Sequence, residues 1–283
     1  MTLAPSIFAI QPGENGQQGF VRVLGQMTVQ ARHLLQIAAA SPSESVHGIR
    51  VLIKRLRAML SFTSPAFSSA ELNRVRAHLR EASHLLAAQR DFVVMQTVVE
   101  KLSRTTANVS DRNTLVRLAS AQKRVQAITA KPDQSLQLAV AILLTTIEQI
   151  SEQAKIKFRW PNSSERLAKA FLASEKAGKK ALRRRRAAQF HDWRKKAKRL
   201  LYQLQLTQSD PSKRMMRTIN RVDRLQEKLG DYHDSVLAQN RLEEVFPDQQ
   251  PPRFVRQSVK LLEKGRRRLR KAVREISRQM KSR

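Results

Sequence analysis

Two stretches of the sequence place a histidine at the head of a run of cations with helical spacing. The first is HGIRVLIKRLRAMLSFT at 47–63 and the second is HDWRKKAKRLLYQLQLT at 191–207. Arginine, lysine and protonated histidine all donate hydrogen bonds to anionic oxygens, and arginine can bind two oxygens of one phosphate at once. A repeated pattern of these residue types indicates a surface that binds an extended anion.

The two stretches align at an offset of 144 residues, with seven of seventeen positions identical. The identical pairs are His47/His191, Arg50/Arg194, Lys54/Lys198, Arg55/Arg199, Leu56/Leu200, Leu60/Leu204 and Thr63/Thr207. At an offset of 143 the similarity continues in the pairs Arg74/Arg217, Leu86/Leu229, Asp91/Asp234, Gln96/Gln239 and Glu100/Glu243. Similarity that stays in register across successive segments predicts a duplicated helical unit.

On a helix, the cations of each stretch fall on the side opposite to its apolar residues. In the first copy the cationic face spans about 80° and consists of His47, Arg50, Lys54 and Arg57. In the second copy it consists of His191, Arg194, Lys195, Lys198 and Tyr202, with Tyr202 as a hydrogen-bond donor or a spacer. Trp193 and Leu200 face away and are predicted to be core.

The next helix of the second copy is predicted to add a further line of cations. They are spaced by four, three and four residues: Arg217, Arg221, Arg224 and Lys228. In the first copy only Arg74 and His78 keep this line, because Glu81 and Leu85 stand where Arg224 and Lys228 would be. We therefore expect the second copy to bind an anion more strongly.

Four uses are open to His47 and His191: anion contact, metal binding, acid–base catalysis, or an ordinary surface position. The neighbouring cations would repel a metal ion and no carboxylate shares the face, so anion contact is favoured and no metal is predicted. Asp91 and Asp234 are predicted to be structural, with magnesium binding as the alternative. No nucleophile constellation and no phosphate-cradling glycine loop occurs, so we predict binding without catalysis and without a cofactor.

The elements that hold these faces are predicted to be helices throughout, giving an all-α fold. Only 8 glycines occur, and apolar residues recur at spacings of three and four. Capping boxes are predicted at Ser41–Glu44 and Ser68–Glu71, and helix starts at Asn162 and Asp210. The predicted helices span 17–40, 43–62, 69–104, 110–130, 133–158, 163–186, 188–207, 211–245 and 252–280.

The composition points to a polyanionic partner. Lys and Arg number 54 against 23 acidic residues, a formal net charge of +31, while 41% of the residues are hydrophobic. Such a chain folds and attracts polyanions from a distance. The absence of cysteine, of a basic secretory start and of an apolar run long enough to span a bilayer predicts a soluble cytoplasmic protein without membrane contact.

Two further basic runs, KKALRRRR at 179–186 and EKGRRRLRKAVR at 263–274, are predicted to be solvated faces. They would also widen the attractive field around the molecule.

The paired HxxRxxxKR segments at 47–55 and 191–199 resemble the CHAD family, the conserved histidine α-helical domain. The helix endings LLAAQRDFVV at 85–94 and LGDYHDSVL at 229–237 are similar to that family's leucine-rich segment closing on an aspartate, although Ala87 replaces the glycine that matches Gly230. The resemblance covers residues 17–283, with repeat 1 at 17–158, repeat 2 at 163–283 and residues 1–16 as an N-terminal extension.

The resemblance implies two antiparallel helical bundles related by a pseudo-twofold axis, whose histidine helices line a shared central basic groove or channel. It also implies binding of inorganic polyphosphate and association with polyphosphate granules. Many relatives carry an N-terminal CYTH domain, whose acidic ExExK signature is absent from this sequence. The chain therefore resembles a stand-alone member of the family.

Two other functions remain open from the sequence. A nucleic-acid or ribosome-associated protein would carry a similar charge, and weak nonspecific nucleic-acid binding is expected in any case. Against that function, aromatic residues make up only 5% of the chain, so few platforms exist for stacking bases. The third possibility is a metal-dependent enzyme that processes phosphate.

Overall fold

The computed structural model describes residues 7–87, 132–156, 158–208 and 212–245, together with single helical positions between 256 and 275. In these ranges the chain forms helices and no β-strand, so the all-α prediction is confirmed. The helices are α1 Gly16–Gln36, α2 Pro42–Phe62, a 3₁₀ turn Ser64–Ala66, α3 Ser69–Leu85, α4 Pro132–Ile156, α5 Ser163–Arg184, α6 Ala187–Leu206 and α7 Lys213–Val245. The helix predicted at 110–130 and the end of the one predicted at 69–104 lie outside the described residues.

Local side-chain caps explain where several helices begin. Ser68 and Glu71 form the predicted capping box at the start of α3, and Asn162 accepts a hydrogen bond from the Glu165 amide at 3.2 Å before α5. The capping box predicted at Ser41 is wrong, because the Ser41 side chain makes no capping hydrogen bond. Proline at the first position of α2 fixes a helical backbone angle there without needing a donor.

The chain folds into two compact units. The first unit contains the described residues of 1–90, 131–174 and 196–223, and the second those of 91–130, 175–195 and 224–283. The division passes through α5, α6 and α7, because each of these long helices contributes one part to each unit. The units therefore do not coincide with repeats 1 and 2, and the duplication stays a prediction.

In the first unit, α1, α2, α3 and α4 pack around one hydrophobic core. α4 contacts α1, α2 and α3, and α2 also contacts α1 and α3. The core includes Phe20, Leu56, Leu79 and Leu143, all fully buried. The apolar stretch at 138–147 thus serves the core of a helical bundle, and none of the described helices is long and apolar enough to cross a membrane.

The segment before α1 belongs to the packed structure of the first unit. Ala9 and Ile10 are buried, and the Ile10 amide donates to the Leu206 carbonyl at 2.9 Å. Arg22 on α1 donates to both carboxylate oxygens of Glu14 and to the Ala9 carbonyl. Ala9, Ile10 and Glu14, which lie in the predicted N-terminal extension, are therefore packed against the first unit.

The second unit is organised by aromatic packing. The Trp193 ring is buried, as predicted. A Cβ added at Gly178 on α5 would lie 2.8 Å from that ring, so this glycine permits the close approach of α5 to α6. The Phe190 ring on α6 stacks on Tyr232 of α7 with centroids 4.4 Å apart. These contacts hold α6, which carries His191 and Arg194, against α5 and against α7, which carries Lys228.

Candidate functional site

In the first unit, α2 separates its cations from its core residues as predicted. Ile49, Leu52 and Leu56 are buried. His47 is exposed, whereas the three other cations of this face are only partly exposed: Arg50, Lys54 and Arg57. The partial burial has a specific cause in the neighbouring helix.

Two arginines of the α2 face bind backbone carbonyls of α3. Arg50 Nη1 donates to the carbonyls of Ser83 at 3.3 Å and Leu86 at 3.2 Å, and Arg57 Nη2 donates to the Leu79 carbonyl at 2.6 Å. The Ser83 and Leu86 carbonyls lie at the end of α3, where backbone carbonyls lack a partner within the helix. The Leu79 carbonyl lies inside α3 and also accepts from Ser83 Oγ at 2.8 Å. Arg50 and Arg57 therefore hold α3 against α2, a role that the sequence analysis did not assign to them.

The burial of Arg57 also changes its acidity. Loss of hydration lowers the pKa of this guanidinium, and the positive charge of Arg80 lowers the pKa further. Arginine nevertheless stays charged at neutral pH. Arg74 is exposed on α3 and its side chain faces solvent. The cationic face of the first copy is thus partly used for packing between helices.

Tyr202 is buried, which corrects its predicted position on an exposed basic face. Only 5% of the residue is accessible. The Arg55 guanidinium lies 4.8 Å from the Tyr202 ring centroid and 4.5 Å from that of Phe8, so it is placed between two aromatic rings. Lys198 Nζ lies 5.8 Å from the Tyr202 ring. Tyr202 therefore supports the cations around it through its ring.

The histidine-bearing helices α2 and α6 touch each other in the first unit. Gln203 Nε2 donates to the Ala58 carbonyl at 3.0 Å, and Arg55 meets Tyr202 as described. In the alignment of the two copies, Ala58 is equivalent to Tyr202, and Met59 to Gln203. These contacts join neighbouring and not equivalent positions of the aligned copies, so the pseudo-twofold relation stays a prediction.

In the second unit, α6 and α7 bring two histidines together. The rings of His191 and His233 have centroids 4.4 Å apart, and both residues are partly exposed. The packing of α6 on α7 thus brings two imidazole side chains into contact, and an imidazole can donate a hydrogen bond to an anionic oxygen.

Arg194 packs over the backbone of α7 at Gly230. A Cβ added at Gly230 would lie 3.6 Å from Arg194 Nε, which is an ordinary contact distance. Arg50 takes the equivalent position over Leu86 in the first copy, next to Ala87. An alanine is sterically compatible with this arrangement, so Ala87 does not disturb the equivalence of the two arginines.

The remaining predicted cations of the second copy lie along α6 and α7. Lys195, Arg217 and Arg224 are exposed, and Lys198, Arg221 and Lys228 are partly exposed. Lys228 Nζ forms a surface ion pair with Asp231 at 3.6 Å. α7 is continuous from Lys213 to Val245, with Arg217 and Arg221 in the first unit and Arg224 and Lys228 in the second.

Sequence reasoning missed His233 and Arg55. His233 stands in the quoted segment LGDYHDSVL, but its contact with His191 arises from the packing of α6 on α7, which a linear pattern cannot show. Arg55 had a signal, since it is identical to Arg199 in the alignment. Within the described ranges, no three His, Asp or Glu side chains lie close enough together to hold a metal ion. Asp91 lies outside those ranges.

The chain was compared with known protein families, solved structures and curated proteins. The model of the CHAD domain matches residues 24–243. Among solved structures, the chain resembles the crystal structure of the CHAD domain from the plant Ricinus communis, with 19% sequence identity and a TM-score of 0.66. That match covers 98% of this chain and 96% of the plant chain. The comparison with curated proteins gave no match.

Proposed function

The chain belongs to the CHAD domain family, and we propose that it binds inorganic polyphosphate along its histidine-bearing cationic faces. The observation that carries the proposal is the arrangement in the second unit. There, α6 and α7 are in contact through Phe190–Tyr232 and His191–His233, and each helix contributes cations to the same unit, namely Arg194 and Lys195 on α6 and Arg224 and Lys228 on α7.

The chemistry of a phosphate polymer fits such a surface. Each exposed cation–phosphate contact is weak, but a continuous anion tethers one contact to the next and raises the effective concentration of each phosphate. Arginine donates to two oxygens at once, whereas lysine acts as a point charge. Release of counterions adds affinity that falls as salt rises. We further propose that the protein is cytoplasmic and is located at polyphosphate granules.

The burial of the aromatic residues argues against nucleic acid as the main ligand. Trp193, Tyr202, Tyr232 and Phe190 are each no more than 5% exposed. Single-stranded nucleic acid binding relies on exposed aromatic rings that stack on bases. A surface with cations but few stacking platforms favours a ligand that consists of phosphate alone.

Competition tests the proposal directly. The full-length protein is bound to a labelled single-stranded RNA, and polyphosphate of about a hundred units is added at matched phosphate concentration, where the higher charge density per length is expected to displace the RNA. The reverse titration provides the control. Consistent displacement of polyphosphate by RNA would refute the proposal.

An assay of turnover separates binding from catalysis. We expect polyphosphate incubated with the protein and Mg²⁺ or Mn²⁺ to release no phosphate beyond the rate without protein, because no catalytic constellation occurs in the sequence. Release that persists on purification and is lost in Asp234→Asn would establish a phosphate-processing enzyme in place of a binder.

A further inference from the structure

Four consecutive arginines span the end of α5 and its connection to α6. Arg183 and Arg184 lie in the last turn of α5, and Arg185 and Arg186 connect it to Ala187, the first residue of α6. All four residues are exposed. Among the described residues, none of these four side chains makes a hydrogen bond or an ion pair. We call this group the arginine junction.

The arginine junction uses residue types that folding alone does not favour at two of its positions. Arg185 has φ of 56°, a left-handed backbone that glycine or asparagine adopts at lower cost. Arg186 precedes the first residue of α6, where the partial positive charge of the helix end disfavours a cation. Arg183 and Arg184 are favourable at the end of α5, but four adjacent cations repel one another. The arginine junction thus combines an unfavourable backbone conformation with repulsion between like charges. Such unfavourable features at one exposed surface indicate a function.

The junction lies close to the histidine pair within the second unit. His191 is four residues beyond Ala187 on α6, which is about 6 Å along the helix axis. A short anion held by His191 and Arg194 would end before the junction. A longer polymer leaving that site towards the start of α6 meets the four guanidinium groups next.

We propose that the arginine junction is an additional contact surface for long polyphosphate chains and sets a preference for chain length. The inference rests on the proposed function and goes beyond it, because it assigns the 179–186 run a ligand contact in place of a solvated face. Short chains occupy the histidine site alone. Long chains occupy both, and the second contact is intramolecular once the first has formed.

The test compares two full-length variants that each remove four positive charges from the second unit. The junction variant is R183Q/R184Q/R185N/R186Q, with asparagine chosen because it tolerates positive φ. The control variant is R267Q/R268Q/K271Q/R274Q, four exposed cations of the 263–274 run. Circular dichroism verifies that both keep the helix content of the wild type. The probes are tripolyphosphate and polyphosphate of about a hundred units, titrated at a series of salt concentrations.

We expect the affinity of the junction variant for tripolyphosphate to stay within about twofold of that of the wild type. Its affinity for the long chain should be at least about tenfold lower than that of the wild type. The control variant should lose less affinity for the long chain. Its slope of log Kd against log salt should also stay closer to that of the wild type, since each neutralised phosphate contributes about one unit.

Three results would overturn the inference. One is a junction variant that keeps the wild-type ratio of long-chain to short-chain affinity. Another is an equal loss in both variants, which would assign the effect to total charge. The third is a junction variant that loses RNA binding while it keeps long-chain polyphosphate binding, which would assign the surface to nucleic acid. A wild-type protein that binds neither probe would refute the proposed function itself.

Discussion

At the scale of single residues, arginine serves three separate purposes in this molecule. Arg50 and Arg57 donate to the backbone of α3, Arg55 lies between two aromatic rings, and the arginine junction faces solvent. The sequence places Arg50 and Arg57 correctly on one face of α2. It cannot show that carbonyls of α3 lie beside them, because these partners depend on how the two helices pack.

The two copies should differ when their cations are removed. We expect R194A/K198A to weaken polyphosphate binding more than R50A/K54A, because the helix that follows in the second copy carries more cations than its counterpart in the first. R50A/K54A should also lower the free energy of unfolding by about 1 kcal/mol, since buried carbonyls lose a donor. Equal losses of binding, measured by calorimetric titration, would contradict the asymmetry.

The Glu14–Arg22 pair should make the stability depend on pH. Hydrogen bonds from Arg22 lower the pKa of Glu14, while partial burial acts in the opposite direction. The ionised carboxylate therefore stabilises the fold above the ordinary pKa of glutamate, and this contribution is lost as the pH falls through the lowered pKa.

Replacement of this carboxylate isolates the effect. Urea unfolding of E14Q should show a loss of about 1 kcal/mol at neutral pH, and the difference from the wild type should shrink as the pH approaches 3. A difference that stays constant over this range would mean that the charge of Glu14 contributes nothing.

At the scale of helices, periodicity and capping residues predict the elements but not their contacts. α3 begins at the predicted capping box of Ser68, whereas the equivalent pattern at Ser41 forms no capping hydrogen bond. A capping sequence makes this hydrogen bond possible but does not ensure that it forms. Tyr202 occupies the cationic side of α6 in a helical projection. It is nevertheless buried, and the Arg55 guanidinium that lies over its ring comes from α2, far away in sequence.

Two glycines within helices should respond oppositely to alanine. G25A should raise the free energy of unfolding by about 0.5–1 kcal/mol, because nothing lies within 4 Å of the added Cβ and alanine is the better helix former. G178A should lower it by about 1 kcal/mol, because the added Cβ would lie 2.8 Å from the Trp193 ring. Urea unfolding measures both, and stabilisation by G178A would contradict the close packing of α5 on α6.

At the scale of the whole molecule, the sequence predicts an all-α chain whose duplicated segments carry the cations. The compact units cut across that duplication, because α5, α6 and α7 each contribute to both units. The repeat predicted from the sequence concerns the origin of the chain, whereas the two compact units are defined by which residues pack together. The contacts of Ala58 with Gln203 and of Arg55 with Tyr202 bring α2 and α6 together in the first unit, which no pattern within one stretch could have provided.

The central claim is that polyphosphate binds at the histidine-bearing faces and not merely to a highly charged molecule. Calorimetric titration with polyphosphate of about a hundred units should therefore compare H191A/R194A/K195A with K155A/K169A/K176A, whose three lysines are exposed and lie outside the proposed site. We predict at least about tenfold weaker binding for the first variant and a change within about twofold for the second. Equal affinities of the two variants would contradict the claim.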